Sequence, residues 1–264
     1  MIAALPMYFA PQGAAQAFWD VLREKLNPML DMDVPQSLTW PVDYETHWLD
    51  AELLLSQTCG YPLTHSLRNK VQLLGTPIYD APDAEGFYCC SQVIKRRSDI
   101  RCELADFRGA RVAYNATDSQ SGYNALRATV SPLAKKGLFF GSAMKTGSHL
   151  SSIEAVLTGL ADVAAIDTVT WTLANQARPE LRESLQVFTK TPRYPGLPLI
   201  TSINTPERAV NVMRTTLRSV CASEQHASIL APLCIKGFAV TSYADYEVCM
   251  DMETSAIELG VSSL

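Results

Sequence analysis

Short apolar segments alternate with segments of helical periodicity along most of the chain. The clearest helical pattern starts at Ala14, where apolar residues recur at the spacing of one helix face until a proline ends it. Another helix is predicted from Pro206, again with a continuous apolar face. Apolar runs at 71–79, 111–114 and 163–166 predict buried strands between such helices. This alternation is typical of α/β proteins, and we predict that fold class.

Three other segments are predicted from weaker patterns. Residues 1–9 and 139–142 are expected to form strands, because both are short and mostly apolar. The segment 242–259 is expected to be helical. None of these three has the regular periodicity of the segments above.

The βα pattern falls into blocks that suggest two lobes. An outgoing segment near 86–100 and a returning segment near 188–200 separate the blocks. We therefore predict a discontinuous lobe 1 made of residues 1–92 and 195–264, and a lobe 2 made of residues 93–194. The chain would cross between the lobes twice.

Composition and charge exclude several classes of partner. The chain has 264 residues, of which 47% are hydrophobic and 19% charged, which is enough apolar material for a core. Its net charge of −5 argues against nucleic acid, because binding to phosphate backbones requires a basic face. No apolar run approaches the roughly 18 residues that a membrane span needs, so no membrane insertion is expected.

The first residues and the cysteines bear on localisation. No basic residue precedes Arg23, whereas a secretory signal begins with a positive segment. The chain as written is thus expected either to stay in the cytoplasm or to have lost an export signal. The seven cysteines are odd in number and scattered, which favours buried thiols in a reducing compartment. No C-x-x-C pair is present, and we predict no metal site and no cofactor.

Three loops place small or hydroxyl residues where a helix is predicted to begin. They are 57–61, 118–123 and 146–151. The first N–H groups of a helix have no internal partner, and the helix dipole makes this end positive, so such loops can bind anions. In each loop taken alone, a plain helix cap is the more common role of a serine or aspartate.

The side chains of the second and third loops add donors to this design. Ser119 and Ser121 supply hydroxyls, and Gly122 would let an anion approach the backbone. His149 adds an imidazole, which could also be an ordinary capping or surface side chain. The three loops together indicate a binding site more strongly than any one of them.

Several ordered motifs resemble the phosphate-, phosphite- and phosphonate-binding proteins of ABC transporters (PhnD-like). The resemblance covers about residues 50 to 220. It is carried by Phe87-Tyr88, Ser91-Gln92-Val93-Ile94, the run from Leu104 to Asn115, Ser119-Gln120-Ser121-Gly122-Tyr123, Gly147-Ser148-His149, the run from Ala161 to Asp167, and Pro195-Gly196-Leu197-Pro198. It implies a two-lobed type II periplasmic-binding-protein fold, with two crossing strands as hinge and a ligand in the cleft.

The resemblance also implies the roles of individual residues. In lobe 2, Ser119, Gln120 and Ser121 would hold the oxygens of a phosphonate-like group with backbone amides, and Gln120 replaces the family's usual hydroxyl residue. His149 would donate to the same group. Asp167 would face a cationic or hydroxyl part of the ligand.

In lobe 1 the resemblance implies a smaller contribution. Tyr88 would line the cleft, and the loop containing Thr58 and Tyr61 would contact the ligand. The implied function is a solute-binding protein of an ABC-type uptake system that closes around a small oxyanion and delivers it to a permease. The family implies a periplasmic location and no catalysis.

Two other functions are compatible with the same residues. One is a cytoplasmic binding or sensing protein of this fold with a different small ligand. The other is a thiol enzyme, in which Cys59 would pair with His65 or His149 and Asp167 would orient the imidazole. No recognised nucleophile motif surrounds Cys59, and cysteines of this kind usually serve as small core residues.

Overall fold

The computed structural model describes residues 1–9 and 13–264, and it confirms the α/β class. The strands are β1 (Ile2–Ala4), β2 (Leu53–Gln57), β3 (Val71–Tyr79), β4 (Tyr88–Cys89), β5 (Ser91–Arg96), β6 (Arg111–Tyr114), β7 (Ser142–Lys145), β8 (Val163–Asp167), β9 (Leu185–Lys190), β10 (Tyr194–Pro195), β11 (Leu199–Ser202) and β12 (Ile235–Ala239). The α-helices are α1 (Ala14–Leu26), α2 (Tyr44–Trp48), α3 (Gly60–Thr64), α4 (Ala125–Val130), α5 (His149–Leu157), α6 (Thr168–Ala177), α7 (Leu181–Ser184), α8 (Glu207–Cys221), α9 (Ala227–Leu230) and α10 (Glu247–Glu258).

Shorter helical turns lie between these elements. A π-helical turn, Gln120–Asn124, directly precedes α4. Short 3-10 turns are found at Leu104–Phe107, Ser131–Leu133, Glu224–His226, Ala231–Leu233 and Tyr243–Tyr246. Within residues 1–9 and 13–264, every helix is too short or too polar to span a bilayer.

Unit 1 comprises Met1–Tyr88 and Pro195–Asp245. Its sheet has the strand order β1-β2-β11-β3-β12, in which β1 and β2 are parallel and β11 runs antiparallel to both of its neighbours. Helices α1 and α8 bury their apolar faces in one core with this sheet, through side chains such as Trp19, Met213 and Leu217. The apolar faces that the sequence predicts for these two helices are thus the faces that pack in this core.

Unit 2 comprises Cys89–Tyr194 and Tyr246–Leu264. Its sheet has the order β7-β6-β8-β5-β9, with β6 parallel to β7 and β8, and β5 antiparallel to β8 and β9. Separate apolar clusters form around Val156 and around Leu126. Because β6, β7 and β8 are parallel, their carboxyl ends and the loops that follow them lie at one edge of the sheet.

The assignment of the C-terminal segment differs from the prediction. The sequence pattern had placed all of 195–264 in lobe 1, whereas Tyr246–Leu264 packs as part of unit 2. A buried side chain explains this packing, since the Asn124 amide donates to the carbonyl oxygen of Cys249 at 2.8 Å. The chain therefore passes between the units at three points of the sequence, not two. The rest of the predicted division into two lobes stays a prediction.

The strand predicted at 139–142 is wrong, because β7 starts only at its last residue. The apolar character of Phe139 and its neighbour arises from burial in a core cluster. Their backbone is held by single hydrogen bonds, from Gly109 N to Phe139 O at 2.8 Å and from Gly141 N to Ala110 O at 2.9 Å. Apolar content alone does not distinguish such a buried connection from a strand.

Both chain ends are less regular than predicted. Within 1–9 only β1 is a strand, and Pro6, two residues after its end, has no N–H to donate to a sheet. In 242–259 the helix α10 is preceded by a 3-10 turn. The prediction of residues 1–9 is therefore wrong in extent, and the C-terminal helix is confirmed.

Candidate oxyanion site

The loops after β6 and β7 are fastened to each other by their backbones. Thr146 N donates to Tyr114 O at 2.8 Å, and Gly147 N donates to Asn115 O at 2.9 Å. Gly147 has a φ of 88°, a left-handed conformation that glycine adopts without a steric penalty. The start of α5 is thereby held beside the turn that follows β6.

The Ser119–Gly122 turn is built around two buried hydroxyls. The Ser119 Oγ accepts a hydrogen bond from Gly122 N at 3.0 Å and lies 3.4 Å from the Ser121 Oγ. The Ser121 Oγ lies 2.8 Å from His149 Nε2. The hydroxyl of Ser91, the first residue of β5, donates to Ser121 O at 2.8 Å. The structure therefore brings together three residues that the sequence had assigned to the site, which are Ser119, Ser121 and His149.

His149 is the first residue of α5, whose start is capped by the Ser148 hydroxyl, which accepts from Ser151 N at 3.0 Å. Its Nδ1 is buried and has no hydrogen-bond partner among the described residues. Removal of the ring from water lowers the pKa of His149 to about 4. The imidazole is therefore neutral at pH 7, with one nitrogen as donor and the other as acceptor.

This lowered pKa predicts a pH-dependent stability. The unfolded chain binds a proton at His149 near the ordinary pKa of 6.5, whereas the folded chain binds it only near pH 4. The contribution to stability is therefore complete above pH 6.5 and is lost as the pH falls toward 4. Because the residue is only half-buried, we expect a loss of about 2 kcal/mol, less than the full shift would give.

Urea unfolding at pH 4.5 and pH 7.5 measures this effect. We expect the difference in unfolding free energy between the two pH values to be smaller in His149→Gln than in the wild type. An equal pH difference in the two proteins would show that His149 titrates normally.

Gly122 lies where no side chain fits. A Cβ at this position would be 2.0 Å from the Asn115 Oδ1 and 3.0 Å from the His149 Cε1. The turn, the end of β6 and the imidazole are thus packed against one another at van der Waals distance. The sequence had singled out Gly122 for backbone access, and the packing supplies a second reason for glycine here.

Asp167 is the last residue of β8 and lies at the same edge of the sheet. Its Oδ1 accepts hydrogen bonds from Val169 N at 2.8 Å and Thr170 N at 3.1 Å, which caps α6. Burial, and secondarily the Asp167 charge, raise the pKa of Cys89 and Tyr194 well above their ordinary values. The buried carboxylate has a clear structural role, and its contact with a ligand stays a prediction.

The side chain of Gln120 is directed to the interior of unit 2. Its Oε1 accepts from Asn124 Nδ2 at 2.8 Å, and its Nε2 lies 3.2 Å from the Met252 Sδ. This residue therefore supports the turn through its side chain. The predicted role of its backbone amide in ligand binding stays a prediction.

Three residues of this edge were not found from the sequence. Ser91 contacts the turn and also the Tyr194 hydroxyl, at 2.6 Å. Asn115 packs on Gly122, and its Oδ1 has no hydrogen-bond partner among the described residues. Asn115 directly follows a predicted strand, which was a usable signal. Ser91 reaches the edge through the antiparallel pairing of β5 with β8, and Tyr194 through its contact with Ser91, 103 residues away, so neither residue has a local signal in the sequence.

The predicted residues of lobe 1 all lie in unit 1. Thr58 follows β2, its N–H donates to Pro198 O at 3.0 Å, and its buried hydroxyl has no hydrogen-bond partner within the described residues. Tyr61 stacks on His65 with 3.8 Å between ring centroids. Tyr88 exchanges backbone hydrogen bonds with Glu85 at 3.0 Å. Their contacts with a ligand stay predictions.

The family model of the periplasmic phosphonate-binding substrate-binding proteins of ABC transporters matches residues 50–246. The chain belongs to this family. Its role is therefore the binding of a solute, a small oxyanion, in a family of transport proteins and not of enzymes. This membership confirms the resemblance read from the sequence motifs. No curated protein sequence matches the chain.

Solved structures of similar proteins agree on the fold. A binding component of an ABC phosphonate transporter from Pseudomonas aeruginosa has a TM-score of 0.76 at 16% identity, covering 98% of this chain and 87% of that one. PhnD1 from Prochlorococcus marinus, solved with methylphosphonate, has a TM-score of 0.75 at 15% identity, covering 97% and 98%. A Xanthomonas citri protein bound to ATP has a TM-score of 0.71 at 12% identity, covering 98% of both chains. Identities this low establish only the type II periplasmic-binding-protein fold.

The described residues contain no group of three or more histidine, cysteine, aspartate or glutamate side chains placed to hold a metal ion. The polar groups at this edge are the hydroxyls of Ser119 and Ser121, backbone amides, the His149 imidazole and the Asp167 carboxylate. Such groups bind by hydrogen bonding, and their geometry is fixed by the backbone contacts described above.

Proposed function

We propose that the Ser119–Gly122 turn and His149 of unit 2 hold the phosphorus oxyanion of a phosphonate or phosphate ligand. The observation that carries this proposal is the buried Ser119–Ser121–His149 series, with Oγ–Oγ and Oγ–Nε2 distances of 3.4 and 2.8 Å. Hydroxyls rotate to suit a ligand, and hydrogen bonds to a charged group are stronger than those between neutral groups.

The ligand would be held by uncharged hydrogen-bond donors. With His149 neutral, its Nε2–H can donate to the Ser121 Oγ, and the Ser121 hydroxyl proton then turns to a ligand oxygen. Selectivity would follow because a buried donor left unpaired by the wrong ligand costs about 1–3 kcal/mol. Asp167 would repel a fully ionised group placed against it and would accept from a protonated oxygen or an ammonium group of the ligand.

The ligand would leave chemically unchanged, for delivery to an ABC permease. Of the groups in the thiol-enzyme hypothesis, His65 has its Nδ1 2.8 Å from Tyr61 O and 3.0 Å from the Thr64 Oγ1. Cys59, the thiol of that hypothesis, is a buried side chain, as is common for cysteines that serve as small core residues.

Thermal and urea unfolding in the presence of candidate ligands tests the proposal. Methylphosphonate, phosphite and phosphate are compared with sulfate and acetate at matched ionic strength. A ligand at 100 times its Kd is expected to stabilise the protein by about 2.7 kcal/mol. The proposal fails if none of the phosphorus oxyanions stabilises the protein more than acetate does.

A further inference from the structure

The C-terminal segment of unit 2 packs against residues 119–124, which contain the Ser119–Gly122 turn and the π-helical turn and are called the oxyanion turn below. The Gln120 Nε2 lies 3.2 Å from the Met252 Sδ of α10. The Asn124 Nδ2 donates both to Gln120 Oε1 and to Cys249 O, each at 2.8 Å. Gln120 and Asn124 are the first and last residues of the π-helical turn, so both of its ends are tied to the same helix.

One helical turn further along the chain, a buried ion pair links α4 to α10. The Arg127 guanidinium is almost fully buried and donates to Asn124 Oδ1 at 3.0 Å and to Glu253 Oε1 at 2.9 Å. Its other terminal nitrogen donates to Ser262 O at 2.9 Å. A buried guanidinium is tolerated only when it is paired, so Glu253 and the residues after α10 hold Arg127 and its helix in one position.

The turn needs such support because of its own geometry. A π-helical turn is rare and is less stable than a regular helix. Here Asn124 N donates to Ser119 O at 3.0 Å, five residues back. The side chains of Gln120 and Asn124 face α10, while the Ser121 side chain faces His149. The positions of the Ser119 and Ser121 hydroxyls therefore depend on the contacts that Gln120 and Asn124 make with α10.

We propose that α10 is a latch that positions the oxyanion turn, with Asn124, Met252 and Glu253 as positioning residues for ligand binding. This inference rests on the proposed function of the turn. The latch raises the affinity for the ligand without contacting it. It does so because it fixes the backbone and the hydroxyls that contact the ligand. Loss of an anchor loosens the turn and raises the entropy that binding must remove.

The test compares Glu253→Gln with Glu258→Gln. Both remove one acidic charge from α10, but the Glu258 side chain is exposed to solvent. Titration calorimetry with methylphosphonate measures affinity, and hydrogen-exchange mass spectrometry of the apo protein follows the peptide over residues 119–124. We expect Glu253→Gln to lower the affinity roughly tenfold and to accelerate exchange in this peptide, and Glu258→Gln to do neither.

A second variant, Met252→Leu, tests the other contact of α10 with the turn. Met252→Leu conserves volume but removes the sulfur contact to Gln120, and it should shift affinity and exchange in the same direction by about two- to threefold. Wild-type affinity in both Glu253→Gln and Met252→Leu would overturn the latch. If the wild type itself binds no phosphorus oxyanion, the proposed function fails, and the exchange data alone decide whether α10 orders the turn: unchanged exchange in residues 119–124 would overturn it.

Discussion

Replacing Ser121 with alanine is expected to lower the affinity for methylphosphonate by about 10- to 100-fold. The Ser121 hydroxyl is the link between Ser119 and His149, so its loss removes one donor to the ligand and leaves the imidazole without its 2.8 Å partner. Hydrogen bonds to charged groups contribute about 1.5–3 kcal/mol, which corresponds to this range of affinity. Titration calorimetry at pH 7.5 measures the effect.

Ser151→Ala is the matched control. Ser151 is an exposed serine on α5, and its hydroxyl lies 2.8 Å from the hydroxyl of the capping Ser148. We expect its affinity to stay within about twofold of the wild type, since an exposed hydroxyl pair contributes little. Equal affinities of Ser121→Ala and the wild type would mean that the ligand is held elsewhere.

Gly122→Ala is expected to weaken methylphosphonate binding more than any other single substitution considered. The added methyl group would lie 2.0 Å from the Asn115 Oδ1 and 3.0 Å from the His149 ring, so the carboxamide or the imidazole must move. Overpacking of this kind costs about 1–3 kcal/mol of stability. The effect on affinity should be larger, roughly 100-fold or more, because a displacement near 1 Å disturbs several hydrogen bonds of one site together.

Gly237→Ala provides the comparison for the glycine change. This glycine lies in β12 of unit 1, and a Cβ there would be 3.3 Å from the end of the flexible Ile78 side chain. We expect an affinity equal to that of the wild type and a small change in the urea midpoint. If Gly122→Ala binds methylphosphonate normally, the close packing of Asn115, Gly122 and His149 is not required for binding.

The elements with strong periodicity could be predicted from the sequence almost to the residue. The helix from Ala14 matches α1, because its apolar spacing defines the face that it buries. The apolar run at 71–79 matches β3, which is buried along most of its length. Ser119, Ser121 and His149 were predicted together because their loops precede predicted helices and because their motifs resemble those of the phosphonate-binding proteins. The structure brings these three side chains together.

Features that depend on tertiary contacts were not predictable in this way. The 139–142 segment is apolar because Phe139 and Phe140 pack in a core cluster, and no periodicity distinguishes such a segment from a strand. The C-terminal helix was assigned to the other lobe, since its attachment depends on Asn124 and Arg127, more than a hundred residues away in sequence. Ser91 reaches the turn only through antiparallel pairing of β5 with β8.

Titration of the 15N-labelled protein with methylphosphonate shows directly whether the Ser119–Gly122 turn and His149 hold the ligand. We expect the largest changes in backbone amide shifts at Ser119–Gly122 and His149, with the His149 ring signals changing in the same titration. Because the pKa of His149 is about 4, these ring signals should be those of a neutral imidazole at pH 7. Saturable binding that leaves the signals of both Ser119–Gly122 and His149 unchanged would mean that the ligand is bound elsewhere.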